Sequence, residues 1–378
     1  MDVNLTERQA LLVLNALPNV GPITLNRLLG ELGGDPRAVL SADREVLQAV
    51  RGVGPVIADT LVGWRAHFDP RREEERMAAA GVEFITPRDP VYPPLLKEIH
   101  DPPIGLYTHG AVGDGRLARR GVAIVGSRRT TQYGLGLAST FSTELVRQGF
   151  IIVSGLARGI DTAAHQGALE AGGVTVAVLG TGIDRVYPPE NLELRRRIAA
   201  EGGAVLTEFP IGRRADRQSF AMRNRIVAGM CEATVVVESD VDGGAMITAR
   251  FAGEQGRLLF AVPGRVDQPT SAGCHQLLRD GATLMRSVDD LLEELGYLDG
   301  LRPAPIAAKP AEVAAGRPAN LTSDEAAVFA QFAGGEILGP DALGERTGLA
   351  PNGLAAALMM LELKRAVVKR ADGSYEGV

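Results

Sequence analysis

The sequence predicts an α/β protein built on a doubly wound, mostly parallel sheet, and two observations between residues 122 and 286 carry that prediction. First, six short apolar runs of strand type, Val122–Val125, Ile151–Val153, Val174–Leu179, Ala204–Leu206, Thr234–Val237 and Leu258–Val262, alternate with helical patterns. Such alternation implies right-handed crossovers between parallel strands. Second, the runs end in clusters of Gly, Ser, Arg or Thr: Gly126-Ser127-Arg128-Arg129, Ser154 to Asp161, Gly180-Thr181-Gly182, Asp242-Gly243-Gly244 and Pro263-Gly264-Arg265. Ligands of open α/β sheets sit beyond the carboxyl ends of the strands, where backbone N–H groups and helix N-termini favour anions. The repetition of these loops points to a phosphate-bearing ligand.

A chain of 378 residues, 45% hydrophobic, has material for more than one core. The boundaries expected are a helical module over 1–68, the α/β domain over 69–296, a linker over 297–320 and a C-terminal module over 321–378. No run of eighteen apolar residues and no signal-peptide pattern occur, so the expectation is a soluble, cytoplasmic protein without membrane contact. The two cysteines, Cys231 and Cys274, form neither a disulfide framework nor a zinc site. The net charge of −6 rules out a generally basic surface, yet Arg213 to Arg225 holds five Arg against one Asp, a stretch suited to phosphates. With only four Lys in the chain, Arg is its default cation, and an isolated Arg says little.

The first 68 residues contain a duplication. Leu14, Leu17, Val20, Gly21, Pro22 and Ile23 recur 33 positions later as Leu47, Val50, Val53, Gly54, Pro55 and Val56. The second copy has the form of a helix-hairpin-helix (or SAM-like) motif, in which a tight turn at Gly52 and Gly54 aims N–H groups at a DNA phosphate. In the first copy Asn19 replaces the leading Gly, and Asn tolerates positive φ. Few basic residues flank the hairpins, which favours a helical interaction module over an accessory DNA contact. Across 69–120, Pro87, Pro90, Pro93, Pro94, Pro102 and Pro103 predict extended segments and turns rather than long helices.

Four groups in the α/β domain are candidates for a site. Gly126-Ser127-Arg128 follows a strand and precedes a helix expected from Gly134. It is either a phosphate turn or a plain strand-to-helix turn, and it is no dinucleotide fingerprint, since no G-x-G-x-x-G follows. In the loop Ser154 to Asp161, Gly155 and Gly159 bracket Arg158, and Asp161 is placed at the helix N-cap. Asp161 and His165 stand four apart, but as metal ligands they lack a third partner, so a cap and a loop-shaping hydrogen bond fit better. Phe220, Arg223, Asn224 and Arg225 combine a ring for stacking with cations for a backbone, although a helix start with Phe220 in the core reads equally well. Asp242-Gly243-Gly244, followed by Thr248, offers an anion site at a helix start, with Glu238 as a loop organiser rather than a general base. No catalytic triad spacing and no P-loop occur.

The Ala- and Pro-rich residues 297–320 predict a linker. Beyond it, Ser323–Phe332, Pro340–Thr347 and Pro351–Leu363 read as helices, and Val367–Tyr375 as a hairpin around Asp372-Gly373, the pattern of a winged helix. Its presumed recognition helix, Asn352 to Leu363, has no base-reading Arg, which favours protein contact or packing over duplex DNA.

The series Gly126-Ser127-Arg128, Ser154-Gly155-Leu156-Ala157-x-Gly159-Ile160-Asp161, Ala164-His165, Tyr187-Pro188, Phe220-x-x-Arg223-Asn224-Arg225, Val237-Glu238 and Val262-Pro263-Gly264 closely resembles the DNA-processing protein A (DprA, or Smf) family over roughly residues 80–290. The resemblance implies an extended Rossmann-like domain that binds single-stranded DNA, forms a homodimer and loads RecA in natural transformation, with no cofactor, metal or catalytic residue. By carry-over Arg128, the loop of Ser154, Gly155, Ala157, Arg158, Gly159, Ile160 and Asp161, and Phe220, Arg223, Asn224 and Arg225 would line the DNA site; the local pattern adds Gly126, Ser127, Gly243, Gly244 and Thr248, with His165 and Glu238 organising loops. The family commonly has Ser-Gly-Ser where this chain has Gly243-Gly244-Ala245, so two hydroxyl donors are missing and only backbone contacts remain there. The rival is an enzyme like the lonely-guy nucleotide phosphoribohydrolases, acting on nucleoside monophosphates. Their P-G-G-x-G-T-x-x-E pattern is broken here by Met246 and by the lack of the Glu.

Overall fold

The computed structural model describes residues 5–113, 115–296, 321–332, 336–370 and 372–377. The chain divides into two compact units, Met1–Arg129 with Leu137–Ala307 and Thr130–Gly136 with Ala308–Val378. The stretch read as a linker, 297–320, lies outside the described residues.

The larger unit is organised by a nine-stranded sheet. Its strands are β1 (Glu83–Ile85), β2 (Leu106–Gly110), β3 (Gly121–Val125), β4 (Ile151–Ser154), β5 (Thr175–Val178), β6 (Ala204–Thr207), β7 (Ala233–Val236), β8 (Leu258–Ala261) and β9 (Thr283–Leu284). They lie in the order β1-β2-β6-β5-β4-β3-β7-β8-β9. From β6 to β9 all pairings are parallel, while β1–β2 and β2–β6 are antiparallel. The order reverses between β3 and β7, which makes that junction the switch point of a doubly wound sheet. The central strands β3 to β7 are buried along their whole length, as continuous apolar runs covered by helices on both faces must be. Alternate residues separate cleanly: Ala177 and Val205 enter one core, and Val176, Val178 and Leu206 enter the other.

The six strands expected from the apolar runs are all present. The edge strand β1 and its neighbour β2 are extended segments within 69–120, and the same region holds a helix, Pro70–Ala80, that the prolines argued against. The correction has a local cause. All six prolines lie beyond residue 86, whereas Pro70 occupies the first helical position behind Asp69, whose carboxylate accepts from the N–H groups of Arg71 and Arg72.

The N-terminal duplication forms two hairpins of like geometry. Glu7–Ala16 turns into Pro22–Glu31, and Arg44–Ala49 turns into Pro55–Val62, with Gly21 and Gly54 as caps and proline opening each second helix. Asn19 takes φ 64° and its counterpart Gly52 φ 90°, so Asn performs the left-handed turn in the first copy. Leu14, Leu28, Leu47 and Leu61 of this module share one core with Phe84, Tyr107, Ala177 and Val205 of the sheet.

In the smaller unit, helices Ser323–Ala330, Pro340–Thr347 and Pro351–Leu363 pack around Val328, Leu343, Leu354, Leu358 and Leu361. Three short strands, β10 (Ile337–Leu338), β11 (Val367–Lys369) and β12 (Tyr375–Gly377), form the wing in the order β10-β12-β11. On the third helix Met359 and Leu363 are 64% and 68% exposed, so an apolar rather than a cationic face meets solvent.

Candidate functional site

Three of the five strand-end loops build a pocket beyond β3, β4 and β5, and the helix Arg217–Gly229, which follows β6, supplies its aromatic wall. The lining is Arg128, Gly155, Ala157, Arg158, Tyr187, Pro188 and Phe220. Backbone bonds tie the loops together: Ser127 N–H donates to Glu238 O (2.7 Å), and Ile160 N–H donates to Ser127 O (3.3 Å). Gly159 sits at φ 74°, and a Cβ on it would strike Ser127 O, so the loops after β3 and β4 require glycine there.

The floor of the pocket is a buried charged cluster. Arg223, 4% exposed, sends Nη1 to Gly155 O (2.7 Å) and to Val178 O, bridging the ends of β4 and β5. A Cβ on Gly155 would lie 2.6 Å from this guanidinium, so the loop and the cation fit only with glycine. Burial lowers the Arg223 pKa to about 10 although Asp161 opposes the fall, and the side chain remains a cation at neutral pH. Asp161 accepts from Gly155 N–H (3.1 Å) and Ala157 N–H (3.2 Å). Burial pushes its carboxyl above the usual range, against the pull of Arg223 and those N–H groups. His165 is also buried. Its Nδ1 lies 2.6 Å from Thr175 Oγ1, which donates to Ile152 O, so Nδ1 carries the proton, and Nε2 has no partner among the described residues. Burial, helped by Arg223, lowers its pKa to about 3 and keeps the ring neutral.

The rim is different in kind. Arg128 is exposed, and its guanidinium stands 5.7 Å from the centre of the Phe220 ring. Among the described residues it has no carboxylate partner. Ser127 Oγ accepts from Arg129 N–H (3.1 Å), which leaves its O–H to donate outward. Arg158 is also exposed, but it pairs with Glu190. Asn191 fastens the β5 loop beneath the rim, its Nδ2 donating to Leu156 O (3.0 Å) and Thr162 Oγ1 (2.9 Å).

Several expected site residues are placed elsewhere. Arg225 is withdrawn from the pocket: it is 1% exposed and bonds Glu208 through both Nη atoms (3.1 and 2.7 Å) and Asp101 through Nε (2.8 Å). Two positions along a helix differ by about 200°, so Arg223 and Arg225 necessarily point to opposite sides. Ser154 is buried and donates to Ile124 O (2.7 Å), which removes its hydroxyl from any ligand. Asp161 is not the N-cap; Gly159 is, and Asp161 in the first turn folds back on its own loop. Gly243, Gly244 and Thr248 belong to the far side of the switch point, outside the pocket lining. There Gly243 caps the helix Gly244–Glu254 and Thr248 is buried within it. Asn224 links the two groups, its Nδ2 reaching Gly244 O (3.3 Å). Glu238 is buried, with its backbone carbonyl holding Ser127. Gly52 and Gly54 remain in the N-terminal hairpin, where Arg27 crosses the turn to Arg51 O. Asn191 has no place in the sequence reading, Tyr187 enters it only as part of the Tyr187-Pro188 motif, and Arg217, exposed one turn before Phe220, only as one of the basic stretch. The signal for the first two was the Tyr-Pro-Pro-Glu-Asn run after the third glycine turn.

A doubly wound sheet whose strand-end loops enclose an arginine-rimmed, aromatic-walled pocket, in one chain with a winged helix, defines a Rossmann-like protein with an accessory module. The family model for DNA recombination-mediator protein A matches residues 83–296, and that for the DprA winged helix domain matches 312–373. The chain belongs to the DprA/Smf family. Protein Smf of Synechocystis is 39% identical over 297 residues, covering 78% of this chain and 74% of that protein. DNA processing protein A of Streptococcus pneumoniae, known from an X-ray structure, superposes with a TM-score of 0.66 at 32% identity, over 77% of this chain and 98% of that one. DNA processing protein A of Helicobacter pylori, whose structure concerns its single-stranded DNA binding mode, gives 0.51 at 29% identity, over 57% and 96%. Among the described residues no helix is long and apolar enough to cross a membrane.

Proposed function

We propose that the chain binds single-stranded DNA in the pocket beyond β3, β4 and β5, without covalent chemistry, protects it and passes it to RecA in natural transformation and recombination. The observation that carries this reading is Arg128, an exposed arginine without a carboxylate partner, set over Phe220 beside a glycine-rich loop. A cation holding the strand backbone next to a ring that takes a base is the combination used for single strands. The N–H groups at the start of the helix Ile160–Glu170 favour the same phosphate. We further propose a cytoplasmic homodimer, with RecA as its protein partner, and terminal modules that meet proteins more than duplex DNA. The exposed apolar face of the third winged-helix helix supports the last point.

Titration of a labelled oligothymidylate at several salt concentrations tests the reading. Affinity should fall as salt rises, single strands should outcompete duplex, and Arg128→Ala should bind at least several-fold more weakly. Equal binding by parent and Arg128→Ala at equal salt would overturn the pocket assignment. Release of free base from nucleoside monophosphates would instead favour the hydrolase reading. Acceleration of RecA filament growth on the same oligonucleotide tests the recombination step.

A further inference from the structure

We propose that Tyr187 is a nucleobase-stacking residue of the pocket, so that a base rests on the outer face of its ring while neighbouring phosphates meet Arg128 and the loop after β4. This rests on the single-strand reading above and moves its base contact from Phe220 to the ring beside it.

Phe220 has little free face. Arg128 stands 5.7 Å from its ring centre and Arg223 5.9 Å. Its Cδ1 lies so close to Gly180 that a Cβ there would come within 2.7 Å. The ring of Tyr187 touches it from a further side, with centroids 5.2 Å apart and planes at 47°. Two rings in contact at that tilt leave no slot between them, so a base cannot be sandwiched and must lie on an outer surface. The open surface belongs to Tyr187, which is 42% exposed, lines the same pocket as Arg128, and stands on the loop that Asn191 pins to the loop after β4. A large ring left half in water beside unpaired cationic and N–H donors has the chemistry of a base platform, because each base offers a π face whatever its sequence. The hydroxyl is secondary to this role, so phenylalanine should substitute.

The test pairs two ligands with three proteins. An oligothymidylate and a fully abasic oligomer of equal length are titrated against parent, Tyr187→Phe and Tyr187→Ala at low salt. For the oligothymidylate, Tyr187→Ala should weaken binding about tenfold, and Tyr187→Phe should stay near parent. For the abasic oligomer, which offers phosphates only, all three should bind alike. In addition, Tyr187→Trp should show indole fluorescence quenched by oligothymidylate and not by the abasic oligomer. Equal losses by Tyr187→Ala on both ligands would make Tyr187 a mere support for the loop, and no loss on either would remove it from the site; both outcomes overturn the proposal. Parent protein that binds no oligothymidylate at all would instead overturn the single-strand reading itself.

Discussion

The floor and the rim of the pocket are built from the same residue type for opposite purposes. Beneath it, Arg223 and its helix neighbour Arg225 are enclosed, committed to carbonyls and carboxylates, and inaccessible to a ligand. Above it, Arg128 is exposed and, among the described residues, uncommitted to any carboxylate, and Arg158 is exposed but held by Glu190. Arginine suits both places, since its planar fork satisfies several acceptors when buried and grips phosphate when exposed. Charge in a motif therefore does not report on binding; accessibility does.

The contrast can be broken at the floor first, where effects should be largest. Removing Arg225 strands Glu208, which is 8% exposed, and removing Arg223 leaves the Gly155 and Val178 carbonyls without their donor. Breaking a buried pair from one side costs about 3–5 kcal/mol. Arg225→Ala should lower stability by that order in urea unfolding, and Arg223→Ala, which breaks hydrogen bonds to carbonyls, by about 1–3 kcal/mol, with oligonucleotide binding lost as a result of loop collapse. If either variant melts like the parent while binding is lost, that arginine belongs to the rim after all.

Acid is the next probe, because it reaches the floor and leaves rim arginines charged. The folded pKa of His165, about 3, lies below the ordinary value of 6.5, so the unfolded chain takes up a proton that the folded chain refuses. Stability is thus complete above pH 6.5 and declines as pH falls toward 3, by at most about 1.4 kcal/mol per pH unit. Between pH 5 and 6.5, above the usual carboxylate range, melting temperature should fall in the parent. In His165→Asn, whose amide still donates to Thr175, the curve should be flatter. A His165→Asn curve as steep as the parent's across that window would show the histidine to be solvated.

At the rim the effects move from stability to affinity. Arg128→Ala should leave the melting temperature unchanged and reduce the slope of log affinity against log salt by roughly 0.7, the value of one phosphate on a single strand. A changed melting temperature would mean that Arg128 too is structural. The smallest effect is expected from Glu190→Gln, which releases Arg158. Affinity should rise slightly, the salt dependence should steepen, and stability should hold, as for other exposed ion pairs. Weaker binding would instead make Glu190 part of the ligand contact.

Much of this was legible in the residues. Six strands were visible because a strand buried on both faces must be a continuous apolar run. The hairpin turn at Asn19 was visible because few residues accept a left-handed φ. The strands β1 and β2 flank the prolines as short segments with no apolar run of their own, and the helix Pro70–Ala80 lies before those prolines, where their restriction does not reach. Within the site, the convergence of Arg128, Gly155, Phe220 and Arg223 followed from loops at neighbouring strand ends. The withdrawal of Arg225 was available too, had the i, i+2 spacing on a helix been applied. What no local pattern discloses is the acidic counterpart: Asp101 and Glu208 lie 124 and 17 positions from Arg225 and meet it only through the fold.

The core that the N-terminal hairpins share with β2, β5 and β6 has a consequence for dissection of the molecule. Cutting the chain near residue 80 would bare the greasy underside formed by Val82, Phe84, Ile104 and Tyr107, and such a fragment should self-associate. Calorimetry of the intact chain should accordingly record hairpins and sheet melting in a single endotherm, so this module is a foundation and not an appendage.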